Sequence, residues 1–121
     1  MQYISGKQEE RFKELLLKAK LKYKDKERQS LLYVIAGNDD LYKQVDKIYD
    51  FEKQQLSCIN ENGEVDLEDI FVSSSSSSLL KLALEIYNQS TSISVNNLFR
   101  SLDDNNAKLA INAIKIRYNI Y

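Results

Sequence analysis

The stretch from residue 31 to residue 42 constrains the fold more than any other part of the sequence. Its first half is continuously apolar, and its second half reads Gly-Asn-Asp-Asp at positions 37–40. A glycine in the left-handed conformation often ends a helix, and an asparagine side chain can cap the next helix. Acidic residues stabilise the positive N-terminal end of that helix. We therefore expect a buried helix, a left-handed corner at Gly37 and a new helix that begins at Asp39.

Capping residues followed by apolar side chains at helical spacing predict the other helices. Ser5, with Gln8 three residues later, fits the capping box of a first helix. Asp25 caps a second helix that runs to Ala36, and the third helix extends from Asp39 to Gln54 or Gln55. A later helix runs from about Ser76 to Asn88, Ser94 caps a short one, and Asp103 or Asp104 caps the last. The main apolar stripe of the last helix contains Ala107, Ala110, Ile111, Ile114 and Tyr118.

Two segments between these helices carry turn signals. Asn62-Gly63 is a strong signal for a two-residue β-hairpin, which would place Asn60 opposite Val65 and Cys58 opposite Leu67. The serine run 73–78 predicts a turn whose last serines cap the following helix. The predicted fold is therefore mostly α: one helical domain spanning residues 1–121, with five or six short helices in a compact bundle and a small β-hairpin near Asn62-Gly63.

The composition argues against an enzyme. The chain has no histidine and one cysteine, Cys58, so Ser-His and Cys-His nucleophile pairs and imidazole zinc sites are excluded. A calcium loop threaded from Cys58 to Asp69 would need a carboxylate where Cys58 stands. We expect no catalytic residue, metal or cofactor. The single cysteine and the absence of a membrane-length apolar run favour the cytoplasm and no membrane contact.

Charge is unevenly distributed along the chain and indicates two candidate surfaces. Residues 38–70 hold three basic and ten acidic side chains, net −7, whereas residues 1–28 hold nine basic and five acidic, net +4. The acidic segment is either plain solvated surface or a partner-binding face, with tyrosines as anchors. The predicted partner-binding residues are Asp39, Asp40, Tyr42, Asp46, Tyr49, Asp50, Glu64, Asp66 and Glu68.

The basic segment offers an alternative, a nucleic-acid strip. Its candidate residues are Lys13, Lys18, Lys20, Lys22 and Lys24. Residues two apart on a helix point about 200° away from each other, which spreads these charges over opposite faces. The last helix and the C-terminal residues Ile120 and Tyr121 are apolar enough that a homodimer is a further alternative.

Several segments resemble one known family. They are Phe12 with Leu15-Leu16, and the stretches 27–31, 35–42, 48–51, 79–83 and 104–114. The family contains small uncharacterised proteins, with a domain of unknown function, from low-GC Gram-positive bacteria and their phages. The resemblance implies a compact helical domain and brings no activity, cofactor or catalytic residue. It implies a setting in which small proteins block host proteins.

The leading functional prediction is a non-enzymatic protein-binding module, encoded by a phage or mobile element. It would inhibit or modulate a bacterial host protein of defence or regulation by occluding it. The alternative is a nucleic-acid-binding accessory protein that uses the basic first helix.

Overall fold

A computed structural model describes residues 1–21 and 25–120 of the chain. In this part the order of elements is α1 (Gly6–Ala19), α2 (Lys26–Gly37), α3 (Asp39–Lys43), α4 (Val45–Ile48), β1 (Tyr49–Asp50), β2 (Gln55–Leu56), α5 (Ser74–Tyr87), α6 (Val95–Arg100) and α7 (Asp104–Tyr118). The mostly helical fold class with a small antiparallel hairpin is confirmed. None of the described helices combines the length and the apolar character needed to cross a bilayer.

The central helix of the bundle is α2. It packs against α1, α5 and α7, and every residue from Ser30 to Ala36 is buried. Because neighbours cover it on several sides, it is apolar around nearly its whole circumference rather than along one stripe. The predicted burial of Leu32 and Ile35 is confirmed, since both are fully buried.

The predicted caps begin the helices as expected. Ser5, Asp25, Asn38, Ser94 and Asp103 each accept a hydrogen bond from a backbone N–H in the first turn that follows. In the serine run the cap is the first serine, Ser73, and Ser74 already belongs to α5. Residues 74–78 are therefore the first turns of a helix rather than a turn before it.

Gly37 does not adopt the predicted left-handed conformation. It is the last residue of α2, and among the described glycines only Gly63 has a positive φ. Close packing requires the glycine instead. A Cβ at position 37 would clash with the Leu109 side chain of α7 and lie 2.8 Å from Nε2 of Gln8 in α1.

The third predicted helix is shorter than expected. It breaks at Gln44 and ends at Ile48 instead of reaching Gln54 or Gln55. Residues 49–56 form the two-stranded sheet, in which Tyr49 pairs with Leu56. The Asp50 carboxylate accepts hydrogen bonds from the backbone N–H groups of residues 52 and 53. Such a local bond gives the backbone an alternative to the helix.

The Asn62-Gly63 segment forms a looser turn than the predicted two-residue hairpin. Its single antiparallel bridge joins Ile59 to Val65, whereas the predicted register paired Asn60 with Val65 and Cys58 with Leu67. The Asn60 side chain accepts the backbone N–H groups of Asn62 and Glu64. This side-chain bonding widens the loop and shifts the pairing by one residue.

Candidate protein-binding site

Two of the predicted partner-binding residues attach α3 to α1. Asp39 lies 2.6 Å from the Arg11 guanidinium and 3.5 Å from the Lys7 ammonium. The hydrogen bond from Arg11, followed by the charge of Lys7, lowers the pKa of the Asp39 carboxyl. Tyr42 donates its hydroxyl proton to Glu14, and the Arg11 guanidinium stacks 4.1 Å from the centre of its ring. The charge of Asp39 is therefore already partly balanced within the molecule.

Tyr49 was wrongly assigned to a partner surface. Its side chain is fully buried, its ring packs edge-on against Phe51, and its hydroxyl donates to Gln54 at 3.0 Å. A side chain with no exposed area cannot contact a partner in this conformation. Asp50 is half-buried and its carboxylate is bonded to backbone N–H groups within the hairpin turn.

The other five predicted partner-binding residues lie at the surface. These are Asp40, Asp46, Glu64, Asp66 and Glu68. Asp66 also accepts the backbone N–H of Glu68 at 3.0 Å, which orders this part of the loop. The acidic segment thus retains exposed carboxylates, although it does not form the complete face that the sequence suggested.

An aromatic residue that the sequence analysis missed lies beside these carboxylates. The side chain of Phe71 is 77% exposed. A shallow depression of about 350 Å³ lies next to it and is lined by the side chains of Asp66 and Asp69 among others. We call Phe71, Asp66 and Asp69 the Phe71 surface; Lys47 lines the same depression.

The backbone of Phe71 is held in place from both sides. The side-chain amide of Gln44 donates to the Phe71 carbonyl and accepts the Phe71 N–H, both at 3.0 Å. The same amide donates to the Asp40 carbonyl at 3.2 Å. Lys47 donates to the carbonyl of Asp69 at 3.0 Å and lies 5.7 Å from the ring centre. The exposed ring therefore projects from a fixed base rather than from a loose loop.

The sequence did contain a signal for Phe71. Residues 70–72 read Ile-Phe-Val, three adjacent apolar residues between a polar loop and the serine run. Extended neighbours point to opposite sides, so at least one of the three had to face away from the core. Ile70 is the buried one.

Three lysines of the alternative nucleic-acid strip are described, and their surroundings differ. Lys13 pairs with Glu9 at 3.1 Å, Lys18 lies 4.8 Å above the Phe51 ring, and Lys20 is the left-handed residue that ends α1. Lys22 and Lys24 lie outside the described residues, as do Tyr23 and Tyr121. The three described lysines are therefore engaged in different places.

The described residues contain no group of three or more acidic or cysteine side chains placed to hold a metal ion. Cys58 is buried, and burial raises the pKa of its thiol to about 11. The thiol donates a weak hydrogen bond to the Ile48 carbonyl at 3.7 Å. A protonated, enclosed thiol is a poor nucleophile and metal ligand.

Fold and surface together define a helical bundle with a small hairpin, which presents one rigid aromatic side chain among carboxylates. The chain belongs to the family of unknown function DUF6075, whose model matches residues 1–121. No curated protein and no solved structure matches the chain.

Proposed function

We propose that the chain is a non-enzymatic protein-binding module that docks its Phe71 surface onto a basic, partly apolar patch of a bacterial host protein. In this proposal a phage or mobile element encodes it, and it inhibits a defence or regulatory protein by occluding that patch in the cytoplasm. The observation that supports the proposal is the exposed Phe71 ring on a backbone clamped by Gln44.

A fixed aromatic side chain is the kind of residue that dominates binding energy. Large aromatic anchors are enriched among interface hot spots, and a rigid anchor loses little conformational entropy on binding. The carboxylates of Asp66 and Asp69 beside the ring add charge complementarity, which selects a basic partner and speeds its approach.

The proposal is tested by capturing partners from a bacterial lysate with the wild-type chain and with two variants. Phe71→Ser removes the anchor, and Asp66→Lys with Asp69→Lys reverses the local charge. If a partner binds the Phe71 surface, each of the two variants should capture at least about tenfold less of it than the wild-type chain does. Val95→Ser is the matched control, because Val95 is also a highly exposed apolar side chain but lies on α6.

Circular dichroism should show that all variants remain folded, since the changed side chains are exposed. The proposal would be contradicted if every captured partner were retained by both surface variants. Once the partner is purified, its activity should fall as the wild-type chain is added, and the Phe71→Ser chain should be at least about tenfold weaker as an inhibitor. Binding without inhibition would refute the occlusion step alone.

Nucleic-acid binding through the first helix stays the alternative proposal. Its test is a titration with short DNA and RNA, in single and double strands, at several salt concentrations. Phosphate contacts would give an affinity that rises steeply as salt is lowered. Lack of affinity at low salt would exclude this alternative.

A further inference from the structure

A second surface of the molecule, along α7, is basic, in contrast to the carboxylates of the Phe71 surface. Two adjoining depressions, about 410 and 680 Å³, lie along α7, and Gln2 and Asn112 line both. Residues 1–4 form one wall and the outward side of α7 forms the floor. We call the two depressions together the α7 groove.

The apolar floor of the α7 groove comes from part of the predicted apolar stripe of the last helix. The buried side of α7 carries Asn106, Leu109, Ala110 and Ala113. Ile111 is instead 45% exposed and lines the groove together with half-buried Ala107. Of the predicted stripe, Ala110 is buried and half-buried Ile114 packs against the core, whereas Ile111 and Tyr118 are exposed.

The polar rim of the groove is basic. Lys108 and Lys115 line it on either side of Ile111, and every residue lining the two depressions is described and none is acidic. Positive side chains around an apolar floor attract an occupant that carries both carboxylates and apolar groups.

The wall of the groove is preformed. The buried Tyr33 side chain donates its hydroxyl proton to the Gln2 carbonyl at 2.7 Å and accepts a hydrogen bond from Asn112 at 3.0 Å. The buried Gln8 side chain accepts the Ile4 N–H at 2.7 Å and donates to the Tyr33 carbonyl at 3.0 Å. Two buried polar residues thus tie residues 1–4 to α2 and α7, so a ligand would not need to order this wall.

We propose that the α7 groove binds an acidic amphipathic helix of a partner protein. The floor follows α7 from Asn105 to Asn119, which at 1.5 Å per residue gives about 21 Å, or about four turns of a bound helix. The apolar face of that helix covers Ile111, and its flanking carboxylates pair with Lys108 and Lys115. Such recognition of a helix in a groove depends on apolar anchors at helical spacing.

The α7 helix of a second copy fits the groove poorly. Antiparallel pairing of two α7 helices about Ile111 would place Lys108 of one copy beside Lys115 of the other, and like charges in contact are unfavourable. An acidic helix would instead place carboxylates beside Lys108 and Lys115, which is favourable. The proposal does not depend on the Phe71 surface, because the two surfaces share no residue.

The test uses the full chain and a labelled synthetic peptide of about 14 residues, long enough to span the groove as a helix. The peptide carries leucines at positions i, i+3, i+4 and i+7 and glutamates on the flanks, and the control peptide has lysine in place of each glutamate. Fluorescence anisotropy should show saturable binding of the glutamate peptide, weaker at high salt, and no binding of the control.

Variants of the chain connect this binding to the groove. Ile111→Ser, and separately Lys108→Glu with Lys115→Glu, should each weaken the glutamate peptide by about tenfold. The double charge reversal should also acquire affinity for the lysine peptide. Phe71→Ser should leave the peptide affinity unchanged, which distinguishes failure of this site from failure of the Phe71 surface.

Three results would overturn the proposal. One is no saturable binding of the glutamate peptide at low salt. Another is binding that the Ile111 and lysine variants do not change. The third is self-association in sedimentation velocity that Ile111→Ser abolishes, which would make a second copy the occupant.

Discussion

At Gly37, side chains of α1 and α7 lie directly against the backbone of α2. The side chains of Gln8 and Leu109 occupy the volume in which a Cβ would stand. Glycine in a helix is otherwise unfavourable by roughly 0.5–1 kcal/mol relative to alanine, because it loses more backbone entropy on folding. Its presence here indicates that the close approach of three helices stabilises the fold by more than this cost.

Gly37→Ala should lower the free energy of unfolding by about 1–3 kcal/mol, the usual cost of overpacking. Gly6→Ala is the control, since no atom lies within 4 Å of its would-be Cβ, and it should change stability by at most about 0.5 kcal/mol. Urea unfolding of both variants provides the measurement. A Gly37→Ala chain as stable as the wild type would show that Leu109 and Gln8 move aside without strain.

The side chain of Asn38 connects three elements. Its oxygen accepts the Leu41 N–H at 3.0 Å as the cap of α3. Its amide donates to Ser76 of α5 and to Asn106 of α7, both at 3.0 Å. A buried amide is costly unless its donors and acceptor are all bonded, and here all its groups have partners.

Asn38→Ala should therefore cost more than a helix cap alone, about 2–4 kcal/mol, because it also leaves buried partners in α5 and α7 unpaired. Ser94→Ala is the comparison, since Ser94 caps α6 in an exposed position and should cost about 1 kcal/mol. Thermal and urea unfolding compare the two. Equal losses would mean that the bonds to Ser76 and Asn106 contribute nothing beyond the cap.

At the level of elements, helix starts could be predicted from the sequence because a cap acts within three residues of its helix. The ends of α2 and α5 were also predicted to within one residue, but the end of the third helix was not. The break at Gln44 coincides with a side chain bonded to Phe71, which is 27 residues away, and no local pattern contains that information. The buried side of α7 carries Asn106, Leu109, Ala110 and Ala113. Leu109 packs against Gly37 and Asn106 bonds to Asn38, so these contacts fix which side faces α2. The apolar spacing of α7 alone fits the neighbouring side equally well.

The candidate site was also only partly predictable from the sequence. Net charge by segment located the carboxylates near Phe71, since composition does not depend on packing. Whether an individual side chain is exposed does depend on packing. Tyr49 follows apolar spacing like Tyr42, yet the hairpin encloses one and leaves the other half-buried.

The serine run offers a test at the element scale. Ser74 is the first residue of α5. Proline is favoured at this position because the N–H there has no partner within the helix. The backbone of the preceding Ser73 is extended, which also suits a following proline. Ser77 donates its N–H to the Ser73 carbonyl at 2.9 Å. Ser74→Pro should change the unfolding free energy by less than about 1 kcal/mol, whereas Ser77→Pro should lower it by about 3 kcal/mol.

Urea unfolding of the two proline variants distinguishes a helical run from an irregular one. In a flexible turn the two positions would tolerate proline equally. Equal stabilities would therefore contradict the assignment of residues 74–78 to α5.

At the scale of the whole molecule, the two proposed binding surfaces differ in charge. The Phe71 surface combines two carboxylates, Asp66 and Asp69, with one exposed aromatic ring beside Lys47. The α7 groove combines lysines with an apolar floor, and no carboxylate lines it. The groove is basic although the basic first segment contributes little to it: Lys108 and Lys115 come from the last helix. A chain with one surface of each sign can hold two unlike partners together, and the two proposed experiments measure the surfaces separately.

The stability of the whole molecule should fall at alkaline pH. Burial raises the pKa of the Cys58 thiol from 9.0 to about 11, and raises the pKa values of Tyr33 and Tyr49. Above pH 9 the unfolded chain therefore loses protons that the native chain keeps, and unfolding becomes more favourable as pH rises. Below pH 8 both states keep these protons, and the contribution to stability is fully present.

The rise in the thiol pKa from 9.0 to about 11 corresponds to a loss on the order of 3 kcal/mol once pH passes the native pKa. Cys58→Ala creates a small cavity and should be less stable at every pH, but its unfolding free energy should decline less steeply between pH 8 and pH 11. Ser57→Ala, at the exposed neighbouring position, should keep the full decline. Urea unfolding between pH 8 and pH 11 gives the slope of unfolding free energy against pH for each chain. Identical slopes for the Cys58→Ala and wild-type chains would show that the thiol ionises as readily in the folded molecule as in the unfolded one.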